Sequence, residues 1–309
     1  MSAARGTVVS VMPRHAGLGN RMRALLGARS LARREARGFA YVWPTGRSFG
    51  AQLRDLWDDD ARDDAARDPA RDDALRRLPG VAHRALRLRY PHRDWSLHWL
   101  DDARDERVWL VRTGHALVLP DDAQPWPHLL RELRPAPAVA DRVVRLARRL
   151  AGEPYVGVMV RAHHASHPET LRWSPVGWFV ERMRRIEQEQ PGVRFLLSCD
   201  VPRVQHELLA AFPGAVAQDD KGAYNSRHGL VAAVADLYLL AGASHLLGPH
   251  YSSFPELAVH LAGPPLVLET SRTPTRDGPP LVTVPDPLRP HVGRRDVAAG
   301  STARDQHTD

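Results

Sequence analysis

TVVSVMPRHAGLGNRMRALLGARSLARREARGFAYVW, residues 7–43, decides the fold class of this 309-residue chain. A β-branched run at 7–12 precedes a glycine-containing turn at 13–19, and the Ala/Leu/Arg-rich segment 20–37 then ends at a glycine. Residues 39–43 are again apolar and aromatic. This order predicts a strand, a glycine loop, a helix and a second strand, which is the βαβ unit of parallel sheets.

The second half of the chain repeats the alternation of strands and helices. Residues 155–160, YVGVMV, form a nearly all-apolar run, which is typical of a central parallel strand covered on both faces. Further strands are predicted at 193–198, 245–248 and 264–269. Helices are predicted at 139–150, 178–188, 202–212, 229–241 and 252–261. The chain is therefore expected to be an α/β protein.

The composition excludes several classes of protein. With 43% hydrophobic and 26% charged residues the chain is an ordinary globular sequence, and Cys199 is its single cysteine. One thiol cannot build a disulfide framework or a thiolate metal cluster, and it favours the cytoplasm. No apolar run reaches the roughly 18 residues of a membrane span, and the N-terminal segment lacks the pattern of a signal peptide. We expect a soluble cytoplasmic protein.

The net charge of +7 has a local origin. Residues 1–50 contain nine arginines and one acidic residue, whereas basic and acidic residues nearly balance from 51 onwards. Lys221 is the only lysine, a bias that GC-rich codon usage explains as readily as guanidinium chemistry. Aromatic residues are 6% of the chain and no nucleic-acid-binding module is recognisable. An anionic small ligand near the N-terminal segment fits better than nucleic acid.

The sequence divides into two expected domains and a tail. A junction at 133–137 separates an N-terminal domain, 1–138, from a C-terminal domain, 139–285. Residues 286–309 are rich in Pro, Arg and small polar residues and are expected to form a flexible tail. Residues 54–107 are a polyampholyte that predicts solvated helices with loops. Its acidic triplet, 58–60, is better interpreted as a wet helix face than as a metal site.

Three segments place polar groups after predicted strands, where doubly wound sheets bind ligands. GLGNR at 17–21 offers close backbone approach and a helix N-terminus for an anion, or it is a plain turn capped by Asn20. Arg161 follows the buried strand and could hold a phosphate or form a structural salt bridge. YSSF at 251–254 could hold a phosphate or simply cap the next helix.

Five segments are notable for their order and spacing: GLGNR at 17–21, VGVMVR at 156–161, FLLSCD at 195–200, ADLYLL at 235–240 and SSF at 252–254. Together they resemble the GDP-fucose transferase superfamily, nearest its bacterial nodulation and α-1,6-fucosyltransferase branch. The resemblance spans roughly residues 7–265. This resemblance implies a GT-B-like fold, in which two Rossmann-like domains face a cleft and the C-terminal domain holds most of the nucleotide sugar. It also implies inverting transfer that requires no metal.

The resemblance also implies roles for individual residues in binding the donor. Arg161 matches the arginine that holds the β-phosphate of GDP-fucose, and Ser253, between Ser252 and Phe254, matches a serine on the same phosphate. Asp236 matches an aspartate implicated in guanine recognition. The glycine loop matches a loop that reaches the donor from the N-terminal domain, through its residues Gly17, Gly19, Asn20 and Arg21.

The acceptor hydroxyl must lose a proton during transfer, and four residues are candidates for the base. Glu169 is favoured, because it lies eight positions after Arg161, at the offset of a glutamate proposed for this role in the α-1,6 branch. His163, His164 and His167 are the other candidates; these histidines could instead bind zinc or lie in an exposed loop.

The chain departs from the family pattern at two places. Met159 stands where the family has a histidine that contacts the nucleotide, and Ala162-His163-His164 replaces the usual polar continuation. The expected function is metal-independent transfer of fucose or another 6-deoxy sugar from a GDP-sugar to an unidentified hydroxyl. Another nucleotide diphosphate donor and a non-catalytic nucleotide- or carbohydrate-binding protein remain the alternatives.

Overall fold

A computed structural model of the chain describes residues 6–58, 75–164, 166–264, 266–275 and 280–296. The chain divides into two compact units. Unit 1 comprises Met1–Ala136 with Asn225–Arg227, and unit 2 comprises Pro137–Tyr224 with His228–Asp309. Two residues of the predicted acidic triplet, Asp59 and Asp60, lie outside the described residues.

Unit 1 is built around a five-stranded parallel sheet with the strand order β4-β2-β1-β6-β5. Its elements are β1 (Thr7–Val11), α1 (Leu18–Arg34), β2 (Gly38–Val42), a 3₁₀ turn (Leu53–Asp55), β3 (Trp57–Asp58), β4 (Arg76–Arg77), α2 (Gly80–Arg87), β5 (His92–Arg93), β6 (Val108–Arg112), α3 (Trp126–Glu132) and β7 (Arg134–Pro135). The predicted βαβ unit is confirmed, because β1 pairs in parallel with β2 across α1.

The polyampholyte of unit 1 contributes a solvated helix and two short edge strands. The solvated helix is confirmed: α2 has no buried residue within Gly80–Arg87. Strand β4, which pairs with β2, and strand β5, which pairs with β6, lie at the two edges of the sheet. Each has only two residues, so neither leaves a pattern in the sequence. The prediction also missed β6, although its residues 109–111 are buried and it pairs with β1 along five residues.

Unit 2 contains a second five-stranded parallel sheet, with the order β10-β9-β8-β11-β12. Its elements are α4 (Pro137–Arg149), β8 (Tyr155–Val160), α5 (Pro168–Trp173), α6 (Val176–Glu189), β9 (Arg194–Cys199), α7 (Pro202–Ala211), β10 (Val216–Ala217), α8 (Arg227–Ala241), β11 (His245–Leu247), α9 (Ser253–Ala262), β12 (Val267–Glu269), β13 (Val282–Thr283) and β14 (Arg295–Asp296). The predicted helices and principal strands of this half are confirmed.

The core of unit 2 covers both faces of its central strand. Every residue of β8 is buried, as the all-apolar run predicted. Helices α6 and α7 pack on one face, and the almost wholly buried α8 contacts β8 at Gly157. A Cβ at Gly157 would lie 3.0 Å from Leu240 Cδ2 and 3.1 Å from the Cβ of Ala243. Glycine therefore allows α8 to pack closely against the sheet.

The strand order of unit 2 sets the position of its ligand edge. Numbered by their order in the chain, its five strands lie as 3-2-1-4-5, so the first strand, β8, neighbours the fourth, β11. After β8 the next strand lies on one side of this pair, and after β11 it lies on the other side. The carboxyl ends of such a pair are where doubly wound sheets form a crevice that binds ligands. The strands of unit 1 lie in the order 3-2-1-5-4, so its first strand, β1, neighbours its last, β6.

Contacts near the C-terminus extend beyond residue 285. Both terminal nitrogens of Arg294 donate at 2.7 Å, Nη1 to the carbonyl of Ala241 and Nη2 to that of Ala243. Strand β14 pairs with β13. The chain is thus held to unit 2 past the start of the predicted tail, whose residues 297–309 lie outside the described ranges.

Two features are absent from the described ranges. No helix in them is both long and apolar enough to cross a bilayer. No three side chains of His, Cys, Asp or Glu in the same ranges come together as a potential metal site.

A buried carboxylate joins three elements of unit 2. Glu269, at the end of β12, is wholly buried and accepts hydrogen bonds from Arg182 Nε at 2.6 Å, His245 Nε2 at 2.8 Å and Thr275 Oγ1 at 2.8 Å. Burial alone would raise the pKa of Glu269, but these hydrogen bonds lower it to about 2.

We predict that Glu269→Gln lowers the free energy of unfolding by about 3 kcal/mol at pH 7, because it leaves buried donors without their charged acceptor. The folded pKa lies below the ordinary value of 4.5. The difference between wild type and variant should therefore be full above pH 4.5 and shrink as the pH falls towards 2. Denaturant unfolding across this range, with the exposed Glu207→Gln as control, measures it. A difference that stays constant with pH contradicts the prediction.

Candidate functional site

The ligand edge of unit 2 is formed by the segments that follow β8 and β11. Arg161 is the first residue after β8, and residues 248–252 connect β11 to α9. Since β8 and β11 are hydrogen-bonded neighbours, both segments leave the sheet at the same edge. Arg161 and the start of α9 thus belong to one crevice of this unit.

Contacts within the protein hold one part of the Arg161 guanidinium and leave another part available to a ligand. Its Nε lies 3.3 Å from Asp200 Oδ2, and its Nη2 donates to the Tyr224 hydroxyl at 3.2 Å. Its Nη1 has no hydrogen-bond partner in the part of the chain that the structure describes, and the side chain is 25% exposed. The salt bridge considered from the sequence is therefore present, but it engages Nε and leaves the terminal nitrogens for an anion.

Aromatic rings stack beside this guanidinium. The ring of His163 stacks on the Tyr224 ring, with 4.2 Å between the ring centres and 8° between the ring planes. It also stacks on the His164 ring, with 4.3 Å between centres and 29° between planes. His164 is exposed and Tyr224 is 41% exposed. The Tyr224 ring is thus supported on one face while its hydroxyl contacts Arg161.

Glu169 lies in the first turn of α5 with a fixed carboxylate. Its Oε2 accepts a hydrogen bond from Trp173 Nε1 at 2.7 Å, and its backbone N–H donates to His167 Nδ1 at 3.2 Å. The guanidiniums of Arg172 and Arg272 lie over the Trp173 ring, at 4.8 and 4.4 Å from its centre. His167 is therefore a helix cap, and Trp173 orients the carboxylate predicted to be the base.

The segment before α9 is tied to α5 by two hydrogen bonds. Thr170 Oγ1 donates to the carbonyl of Tyr251 at 2.9 Å, and Ser174 Oγ accepts the N–H of His250 at 2.8 Å. Tyr251 has a positive φ of 59°, an uncommon conformation for a residue with a Cβ. The turn thereby places Ser252 as the N-cap residue of α9.

The start of α9 presents polar groups to the crevice. Ser253 and Phe254 are its first two residues, both half-buried. Within the described residues, no capping hydrogen bond comes from the Ser252 side chain, so simple capping does not account for this serine. The hydroxyl and the N–H groups of the first turn are suited to binding an anion.

Asp236 is an internal anchor of unit 2. Its side chain is 1% exposed. Oδ1 accepts a hydrogen bond from Gln218 Nε2 at 2.6 Å, and Oδ2 accepts one from Ser198 Oγ at 2.7 Å. Lys221 Nζ also lies 2.7 Å from Oδ2. Lys221 also donates to the carbonyl of Cys199 at 3.1 Å. A carboxylate with three donors in the protein has little capacity left to bind a nucleobase. This geometry favours an indirect role for Asp236 in the guanine recognition that the family resemblance implies.

The glycine loop of unit 1 starts α1 at the equivalent crevice. Gly17 is the N-cap residue, while Gly19 and Asn20 lie in the first turn, so Asn20 is not the cap considered from the sequence. Arg23 Nε donates to the carbonyl of Gly114 at 3.0 Å, which joins α1 to the segment after β6. Gly17 is exposed and Asn20 half-buried.

Arg21 lies inside unit 1. It is wholly buried, and its Nε, Nη1 and Nη2 donate to the carbonyls of Ala16, Pro44 and Arg14 at 2.8, 3.0 and 3.1 Å. Its guanidinium carbon lies 5.0 and 4.0 Å from the ring centres of Trp43 and Phe49. Burial lowers its pKa to about 10. This geometry favours shaping of the loop over contact with a ligand.

Four residues of the site were not predicted as site residues. Asp200 and Lys221 follow the parallel strands β9 and β10, and the rule that polar residues at strand ends form sites could have found them. The contact of Trp173 with Glu169 follows from the four-residue spacing of a helix, whereas Tyr224 carries no local signal.

Comparison with known proteins gives matches among solved structures. No protein-family model matches the chain, and no curated protein matches it. The fucosyltransferase NodZ from Bradyrhizobium is 19% identical, with a TM-score of 0.59 over 89% of this chain and 98% of that one. A NodZ α-1,6-fucosyltransferase soaked with GDP-fucose is 17% identical, with a TM-score of 0.56 over 94% and 99%.

A plant structure extends this likeness. A variant of Arabidopsis thaliana FUT1 in complex with GDP is 16% identical, with a TM-score of 0.55 over 92% of this chain and 72% of that one. The chain therefore has the GT-B fold of these fucosyltransferase structures, as the sequence led us to expect.

We predict that Arg21→Lys lowers the free energy of unfolding by about 2 kcal/mol. The planar guanidinium donates to three carbonyls at once, and the single ammonium nitrogen of a lysine cannot reach all three. Chemical denaturation measures the change. The exposed Arg54→Lys is the matched control and should stay within about 0.5 kcal/mol of wild type. A variant as stable as this control would show that the three hydrogen bonds do not matter.

Proposed function

We propose that the chain is a glycosyltransferase that moves fucose, or another 6-deoxy sugar, from a GDP-sugar to an acceptor hydroxyl. The observation that carries the proposal is the crevice of unit 2, where a guanidinium with available terminal nitrogens and the start of α9 follow two adjacent parallel strands. The likeness to fucosyltransferases solved with GDP and with GDP-fucose supports the choice of this nucleotide.

The charges of the crevice suit a leaving diphosphate. When the bond between the anomeric carbon and the β-phosphate oxygen breaks, negative charge develops on that phosphate. Arg161 offers planar N–H donors, and the first turn of α9 adds the Ser253 hydroxyl with backbone N–H groups. These donors are in place before reaction, so they stabilise the developing charge without rearrangement. The proposed reaction requires no metal.

The acceptor oxygen forms its new bond to the anomeric carbon and passes its proton to a base. We assign this role to Glu169, whose Oε2 is held by the Trp173 indole. His163 and His164 are the alternatives, although the stacking of His163 with Tyr224 suits a supporting role better. Attack on the face opposite to the diphosphate inverts the anomeric configuration.

The remaining contacts with the donor are assigned by unit. In unit 1, Gly17, Gly19 and Asn20 are proposed to contact the donor directly, with Arg21 keeping their loop in shape. In unit 2, Asp236 is proposed to act through Lys221 and Gln218. The acceptor is left unassigned.

One observation favours a second candidate donor. Met159, at the position of the family histidine, is 4% exposed and apolar, so it offers no hydrogen bond to a guanine. A nucleotide diphosphate with another base is therefore the alternative to GDP within the same reaction class.

We predict that GDP raises the melting temperature of the chain in a concentration-dependent way, because a ligand that binds only the folded state stabilises it. If the donor is a GDP-sugar, the shift with GDP should exceed the shift with UDP, ADP or dTDP. A thermal-shift titration measures this, and release of GDP from GDP-fucose measures turnover. A stronger response to another diphosphate would change the assigned donor. Binding without release of nucleotide over hours, with varied acceptors present, would indicate a non-catalytic binding protein.

We predict that Arg161→Ala lowers kcat for GDP-fucose by 10²–10³-fold, which is typical for losing one donor to a developing oxyanion. Arg161→Lys should restore little of this activity, because an ammonium lacks the planar pair of N–H groups. The matched control is Arg203→Lys, an exposed residue of α7 paired with Glu207. If Arg161→Ala keeps an activity within threefold of wild type, the diphosphate does not depend on this residue.

A further inference from the structure

The carboxylate of Asp200 makes contacts with both the backbone and the side chain of the Arg161 segment. Its Oδ1 accepts the backbone N–H groups of Ala162 and His163 at 2.8 and 3.1 Å. Its Oδ2 lies 3.3 Å from Arg161 Nε. The Asp200 side chain is 11% exposed, so these interactions are shielded from water.

The two oxygens of this carboxylate have different partners. Two N–H donors stabilise the charge at Oδ1 and hold the loop after β8 in place. Oδ2 is buried and has no hydrogen bond within the described residues, so Arg161 is the cation that balances it. One group therefore sets both the path of the backbone at Arg161 and the direction of its guanidinium.

This contact decides which part of the guanidinium is available to a ligand. An arginine side chain has several rotatable bonds, and fixing it in one conformation costs entropy. Nε lies beside Asp200, Nη2 donates to the Tyr224 hydroxyl, and Nη1 has no hydrogen-bond partner within the described residues. A diphosphate that approaches Nη1 and Nη2 then meets an arginine that is already oriented.

We propose that Asp200 is a positioning residue that holds the terminal nitrogens of Arg161 towards the diphosphate of the nucleotide sugar. The inference rests on the proposed function, because it presumes that Arg161 binds that group. It predicts that Asp200 contributes to ligand affinity only through Arg161.

The variant Asp200→Asn separates the two contacts. The amide oxygen can still accept the N–H groups of Ala162 and His163, whereas an uncharged amide nitrogen replaces the anionic Oδ2 beside Arg161 Nε. The loop is therefore retained while the hold on the guanidinium is lost. Glu207→Gln is the matched control, since it removes an exposed carboxylate paired with Arg203.

We expect Asp200→Asn to raise the Kd for GDP about tenfold and, in turnover of GDP-fucose, to raise KM and lower kcat together. In an Arg161→Ala background the same substitution should change the Kd less than twofold. Calorimetric titration of the four chains completes this double-mutant cycle. A purely structural loss would reduce the active fraction and kcat but leave KM unchanged.

Several results would overturn the inference. Equal weakening by Asp200→Asn in both backgrounds would show that Asp200 does not act through Arg161. Unchanged or tighter binding would show that the ion pair is neutral towards the ligand or competes with it. Inorganic pyrophosphate, which lacks a base, is the second probe. If the cycle holds for pyrophosphate while GDP fails to bind, the inference stands and the assigned donor fails; binding of neither probe overturns both.

Discussion

The pairing of β8 with β11 is the constraint on which the rest of unit 2 depends. After β8 the next strand lies on one side of this pair, and after β11 the next strand lies on the other side, so the segments that follow both strands start at the same edge of the sheet. The close approach of α8 at Gly157 and the fully buried β8 keep these strand ends in fixed positions. Arg161 and the first turn of α9 acquire their chemistry from this placement, since neither a guanidinium nor a helix N-terminus is a site by itself.

Buried carboxylates fix the cations around this edge. Asp200 faces Arg161, Asp236 pairs with Lys221, and Glu269 binds Arg182 and His245. Each carboxylate takes further donors from its own surroundings, so none of these three carboxylates depends on one partner only. The ion pairs differ in exposure. The pair of Glu269 with Arg182 is buried, whereas the Arg161 side chain of the pair with Asp200 is 25% exposed. Similar ion pairs thus serve stability at Glu269 and the proposed ligand binding at Arg161.

The principal elements could be predicted because their patterns are local. The alternation of apolar runs with helical periodicity identified the βαβ unit of residues 7–43 and the central strand at 155–160. The edge strands β4 and β5 could not be found, since two residues held by pairing leave no pattern of their own. Strand β6 could have been predicted, because residues 108–111 are an apolar run of the kind that identified the other strands, and a Thr-Gly pair follows at 113–114.

The sequence by itself determined the α/β class and the position of Arg161 at the end of a buried strand, because periodicity and residue order encode these features. The GT-B fold was expected from the resemblance to a known family, and it is the fold of the solved fucosyltransferase structures. Tertiary structure alone decided what each polar side chain faces. It buried Arg21 among backbone carbonyls, enclosed Asp236 with three donors and brought Asp200 and Tyr224 to Arg161. These partners are separated by up to 63 residues. Such contacts arise only when the sheet and its helices assemble, so no local pattern in the chain records them.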